Sequence, residues 1–194
     1  MMASPRDDHD PEFGTLTSPA PEFLQPTLPV LTSTPTPYPG CCLALSTPLL
    51  AHLALLLPPP PHLTLSIGSG YGLLEALLLC PPYSRNAIGV EVQPSPNIYL
   101  HPSKHKEVIG SRFLYELAGE AEAWMFVYPR RVGMVDEYIR THGEGRVKCV
   151  IWVGPQADWK DYEGCFKGWH VEIQSANEVG GREWEQIAVA RKRA

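Results

Sequence analysis

The sequence predicts an α/β fold: a mostly parallel sheet with helices on both faces and an antiparallel hairpin at the C-terminal edge. Three observations predict it. Short apolar runs of strand length, at 63–67, 86–92, 123–128 and 147–153, alternate with segments of helical character. Most of these runs are apolar at consecutive positions, as in strands covered on both faces. The last two strand-like runs, 169–174 and 185–191, have no helix between them. They are therefore expected to pair with each other as a hairpin.

The elements follow in chain order. Residues 1–40 are rich in Pro, Ser and Thr, with no lasting apolar period. Such a segment buries too little to offset the entropy of ordering. It is read as a disordered tail, and residues 41–194 as the folded domain. Thr47 suits a helix N-cap and Pro48 the first helical position. The leucines after them are apolar nearly all round, so this short helix should pack on a sheet until Pro58 stops it. Strand Leu63–Ile67 runs straight into Gly68-Ser69-Gly70-Tyr71-Gly72. Leu73–Leu79 reads as a helix ended by Pro81 and Pro82, and Asn86–Val92 as a second buried strand. Lys106–Ile109 is expected as a short third strand and Phe113–Glu122 as a helix. Ala123–Tyr128 is the next strand. Val132, Val135 and Ile139 mark one face of a helix over 132–142, with Gly143 at its C-terminal cap. Val147–Val153 completes the core strands.

Composition narrows the function. The 194 residues fit one domain and a tail. A net charge of −5 disfavours a broad nucleic-acid surface, which needs a basic face. The five cysteines contain no CxxC pair, so neither a zinc site nor a disulfide framework is indicated. They are expected as buried free thiols in a reducing compartment. The seven histidines lack metal-ligand spacing, and no metal is expected. The opening MMASPRDDHDPEF has no signal-peptide order. The most apolar stretch, 41–57, is broken by Pro48 and His52 and is shorter than the roughly 20 residues of a membrane span. The expected place is the cytoplasm, with the nucleus left open, and no membrane contact is expected.

The glycine turn is the main chemical signal. Glycines admit a ligand close to the backbone, and the turn falls at the carboxyl end of a parallel strand, where such sheets bind ligands. A dinucleotide fingerprint, GxGxxG, would need a third glycine where Leu73 stands. The observed GxGxG spacing weakens a nicotinamide reading. Glu91 lies near the end of the next strand, about 20 residues on, where a carboxylate can accept both ribose hydroxyls of a nucleoside.

At this point LTLSIGSGYGLLEALL and NAIGVEV resemble the first two motifs of the class I S-adenosylmethionine-dependent methyltransferases, a Rossmann-like superfamily. The closing hairpin, with Trp169 after Gly168 and EQIAVARK at the end, is similar to that family's last strands. The resemblance covers residues 45–192 and names no substrate. It implies S-adenosylmethionine as cofactor. Gly68, Ser69, Gly70 and Gly72 would follow its methionine part and ribose, Glu91 would bind the ribose hydroxyls, and Ser111 and Arg112 would approach the adenine. Ser66 stands where family members often carry an acidic residue that meets the cofactor's amino group. The stretch Phe126-Val127-Tyr128-Pro129-Arg130 occupies the position of substrate-side groups but lacks an Asp/Asn-Pro-Pro-Tyr/Phe motif.

The acceptor is not named by any of this; a small molecule or protein is favoured over nucleic acid. Tyr128 and Arg130 are the candidate catalytic residues, with Arg131 and Asp158 nearby. Arg130 and Arg131 either grip an anionic substrate or pair with Asp136 or Glu137. Trp152 is expected in the core, and Trp159 either walls a pocket or packs on the domain. Glu75 is expected to be structural or to face solvent. Two other classes stay open: a non-catalytic binding or regulatory protein of the same fold, with a protein partner, and an NAD-dependent oxidoreductase.

Overall fold

The computed structural model describes residues 23–193. Its first 22 residues, which include most of the expected tail, lie outside the described residues. From Leu28 onward the chain touches the core at intervals. Leu28, Leu31 and Tyr38 rest on the core, and strand β1 (Thr36–Tyr38) pairs antiparallel with β2 (Cys41–Leu45). Composition hid this hairpin because its strands are short and its outer face is half exposed.

Helix α1 (Thr47–Leu56) follows. Its N-cap is Ser46, one residue before the expected Thr47; the Ser46 hydroxyl accepts from Leu49 N at 3.2 Å. Then come β3 (Thr64–Ile67), α2 (Leu73–Leu79), β4 (Ala87–Val92), β5 (His105–Val108), β6 (Ala123–Val127), α3 (Val132–His142), β7 (Cys149–Pro155), α4 (Trp159–Tyr162), β8 (Trp169–Ser175) and β9 (Glu185–Lys192). The helix expected over 113–122 is only a 3₁₀ segment, Glu116–Glu120, with Leu117 out of helical geometry. Gly119 there lies against Gly145, so the segment is shaped by a backbone contact rather than by a helical face.

Seven strands form one sheet in the order β5-β4-β3-β6-β7-β9-β8. The first four neighbouring pairs are parallel, and β9 runs antiparallel between β7 and β8. The hairpin is thus at the edge, as expected, with its last strand inserted inward.

Alternation along the central strands builds two cores. Met125, Ile151 and Val153 face α1 and α2, while Trp124, Phe126, Val150 and Trp152 face α3 and α4. That is why these strands read as unbroken apolar runs: both faces are covered. Trp124 and Phe126 meet the Tyr138 ring edge-on. Tyr138 OH in turn accepts from Tyr115 N at 3.0 Å, so the ring's polar end is satisfied. Trp159 is buried and stacks on Phe166 at 5.6 Å; it packs on the domain.

Candidate cofactor site

Strand order reverses between β3 and β6, and the carboxyl ends of β3, β4 and β6 open there into a cavity of about 690 Å³. The glycine turn forms its floor. Gly68, Gly70 and Gly72 all have positive φ, at +83°, +56° and +80°. A Cβ on Gly68 would enter open space, whereas one on Gly70 would come within 3.3 Å of Gly40 O. Gly72 has a different task. Its Cβ would strike Asn97 and Leu100 at 2.7 Å, so this glycine admits the 97–100 loop and does not line the cavity.

Glu91 is fixed from two sides. Oε2 accepts from Gly70 N at 2.7 Å and Oε1 from Val92 N at 2.8 Å. The carboxylate thereby ties the end of β4 to the glycine turn, and it keeps lone pairs free on the cavity wall.

Of the two placements expected for Glu75, the solvent-facing one does not hold: it is 2% exposed, lines the cavity, and accepts from Ser66 Oγ at 2.5 Å on Oε1. Its Oε2 has no partner among the described residues. Burial pushes its carboxyl up to about 7, against the pull of the Ser66 hydrogen bond and with a smaller push from Glu91. A signal existed: Glu75 is the one charged residue in a seven-residue helix, LLEALLL, whose other residues are all apolar.

The walls bring in residues that sequence reading left out. Gly40, Cys41 and Cys42, from the β1–β2 turn and β2, line the cavity. Burial, with Glu75 next, pushes the Cys41 thiol up to about 12. The five cysteines are free, but only Cys165 is buried as expected; Cys41, Cys80 and Cys149 are half-buried and Cys42 is exposed.

At the far wall Tyr128 holds φ +50°, a left-handed conformation uncommon outside glycine and concentrated at functional sites. Its backbone N donates to Val153 O at 2.7 Å, which stabilises the twist. Its hydroxyl donates to Glu185 Oε1 at 2.8 Å. Burial and that carboxylate raise the phenol well above its ordinary value. Tyr128 therefore offers the cavity its ring, while its hydroxyl is committed elsewhere.

Arg130 and Arg131 also line the cavity. Arg131 donates to Ser111 O, holding that loop against the wall. Among the described residues neither arginine pairs with Asp136 or Glu137. Of the residues singled out from sequence, Gly68, Ser69, Gly70, Glu91, Ser111, Tyr128 and Arg130 meet at the cavity. Ser66 lies behind Glu75, and Gly72 and Arg112 are off the wall.

A smaller cavity of about 480 Å³ adjoins it, sharing Cys42, Tyr128, Pro129 and Arg130 and reaching Trp152, Asp158, Asp161 and Tyr162. Trp152 is fully buried in the core, as expected, and also borders this space. No helix among the described residues is long and apolar enough to cross a membrane.

No family profile matches the chain, and no curated protein matches it. Solved structures do. A precorrin-6Y C5,15-methyltransferase from Geobacter metallireducens GS-15 aligns with TM-score 0.58 at 13% identity, over 78% of this chain and 91% of that one. The methyltransferase domain of bacterial CtHen1-C gives 0.54 at 14%, over 75% and 97%. Human N-acetylserotonin methyltransferase, solved in complex with S-adenosylmethionine, gives 0.51 at 11%, over 76% and 51%. The chain has the fold of the class I S-adenosylmethionine-dependent methyltransferases.

Proposed function

We propose that this protein binds S-adenosylmethionine in the larger cavity and transfers its methyl group to an acceptor held in the smaller one. The observation that carries the reading is the joined pair of Glu91 and the glycine turn. A carboxylate anchored by Gly70 N at 2.7 Å stands at the end of β4, beside a turn whose backbone leaves open space at Gly68. A nucleoside's ribose diol fits the free lone pairs of that carboxylate. When bound, the cofactor supplies an electrophilic methyl on a sulfonium.

The chain's own part is positioning. Glu91 orients the ribose. The glycine backbone lets the ligand approach. The Tyr128 ring and Pro129 stand where the two cavities meet, and Arg130 presents a guanidinium to both. No described side chain is set up as a covalent nucleophile, and in-line methyl transfer needs none. The acceptor is a small molecule or a protein side chain that reaches the smaller cavity. A nicotinamide dinucleotide fits less well, because Leu73 fills the place of the third glycine and is itself buried.

Calorimetric titration tests the reading. S-Adenosylhomocysteine is expected to bind the full chain, and NADH is not. Gly70→Val adds a branched side chain at φ +56°, facing Gly40 O. Glu91→Ala removes the ribose anchor and the clamp on the turn. Each is expected to weaken S-adenosylhomocysteine by about ten-fold or more, the loss of one charge-assisted hydrogen bond or its steric equivalent. Unchanged affinity in both variants places the site elsewhere.

A further inference from the structure

A carboxylate sealed from water is costly unless it is neutralised or paired. Glu75 has one neutral partner, Ser66, and a second oxygen with none among the described residues. No lysine or arginine forms an ion pair with it there. Its other ionisable neighbours are Glu91 on β4 and Cys41 on β2, and neither supplies positive charge. What distinguishes its position is that it forms part of the cavity wall beside the glycine turn.

Resting on the cofactor reading above, we propose that Glu75 is the cavity's cation-binding group. It pairs with the protonated amino group of the ligand's amino-acid end while Glu91 holds the ribose. The carboxylate here comes from the helix after the turn. The strand position two residues before the turn is Ser66, whose hydroxyl donates to Glu75 Oε1 and fixes its rotamer. Ser66 thus acts through Glu75 as a positioning residue. The two carboxylates give the cavity a polarity: diol at Glu91, ammonium at Glu75. Glu75 enters the complex as a carboxylate, so the fraction protonated beforehand gives up its proton when the cation arrives.

Two probes separate this assignment from the cofactor reading itself. S-Adenosylhomocysteine carries the ammonium; 5′-methylthioadenosine has the same adenosine and thioether but no amino-acid end. Wild-type chain is expected to prefer the former. Glu75→Gln keeps the size and the Ser66 contact. It is expected to weaken S-adenosylhomocysteine by about ten-fold to a hundred-fold, as for a lost hydrogen bond to a charged group, and to leave 5′-methylthioadenosine unchanged. That second ligand also reports that the variant is folded. A second measurement needs no variant: titration of wild type near pH 7 in buffers of different ionisation enthalpy. Proton release with S-adenosylhomocysteine, and none with 5′-methylthioadenosine, is expected. A retained preference in Glu75→Gln, equal weakening of both ligands, or equal proton release with both overturns the assignment. If wild type binds neither ligand, the cofactor reading fails, and this assignment with it.

Discussion

At the residue scale, two buried carboxylates do opposite work. Glu185 is fully buried and saturated: Oε1 accepts from Tyr128 OH at 2.8 Å and from Ala44 N at 3.4 Å, and Oε2 from Arg182 N at 3.1 Å. It joins β9, β2 and the end of β6. Tyr128→Phe removes one of those donors and should cost about 1–3 kcal/mol in urea unfolding, with S-adenosylhomocysteine affinity unchanged. Unchanged stability with lost methyl transfer would instead make the hydroxyl catalytic. Glu75 is undersaturated, and its carboxyl titrates near 7 in the folded protein, well above its ordinary 4.5. A raised carboxyl pKa means that the native state holds the proton more tightly than the unfolded one. The associated stability is complete below about pH 4.5 and is lost as pH rises toward and through 7, on the order of 3 kcal/mol in all. The negative neighbour Glu91 acts in the same direction. Ligand-free Glu75→Gln should therefore gain stability over wild type as pH rises from 5 to 8.5, followed by thermal unfolding. A difference independent of pH would show that Glu75 does not titrate there.

At the element scale, the β1–β2 hairpin belongs to the site. Gly40 sits in its turn at φ +74°, and a Cβ there would lie 2.2 Å from the Tyr71 ring. The hairpin turn and the glycine turn are therefore packed backbone to ring, and Gly40 O is what a Gly70 side chain would meet. Gly40→Ala is expected to destabilise the fold by about 1–2 kcal/mol from the left-handed backbone alone and to weaken S-adenosylhomocysteine by displacing Tyr71. Gly133 in α3 is the control, because a Cβ there enters open space. Gly133→Ala should be neutral or stabilising by about 0.5–1 kcal/mol. Equal effects from the two substitutions would mean that the hairpin does not shape the cavity. The Gly-for-Ala comparison reads on stability and binding together, so loss of the hairpin and loss of the turn are told apart by whether binding falls more than stability does.

At the scale of the whole molecule, what was legible depended on what each signal reports. Strand-length apolar runs exist because α1 and α2 cover one face and α3 and α4 the other, so β3, β4, β6 and β7 were readable within one or two residues. Helix α2 was readable at both ends, because Gly72 at φ +80° and the prolines after Cys80 bound it. The 116–120 segment was not, because a contact between Gly119 and Gly145, far apart in sequence, shapes it. The lining of the larger cavity was readable where a residue meets it through its own backbone or charge, as at Gly68, Gly70 and Glu91. Other positions were hidden because packing sets them. Gly72 is set by the 97–100 loop, Glu75 by burial in an apolar helix, and Gly40 by a hairpin whose first strand lies in the segment that composition reads as tail. Tyr128 shows both sides: its place at the cavity was readable from the strand end, and the engagement of its hydroxyl by a residue 57 positions away was not.

The proposed orientation of the ligand across the carboxyl ends of β3 and β4 draws on all three scales. A crystal structure of the full chain with S-adenosylhomocysteine tests it most directly. The ligand is expected in the larger cavity, with its ribose hydroxyls on Glu91, its amino group on Glu75, and its sulfur facing Tyr128 and the smaller cavity. A ligand bound elsewhere, or one lying reversed with its adenosine at Glu75, would contradict it.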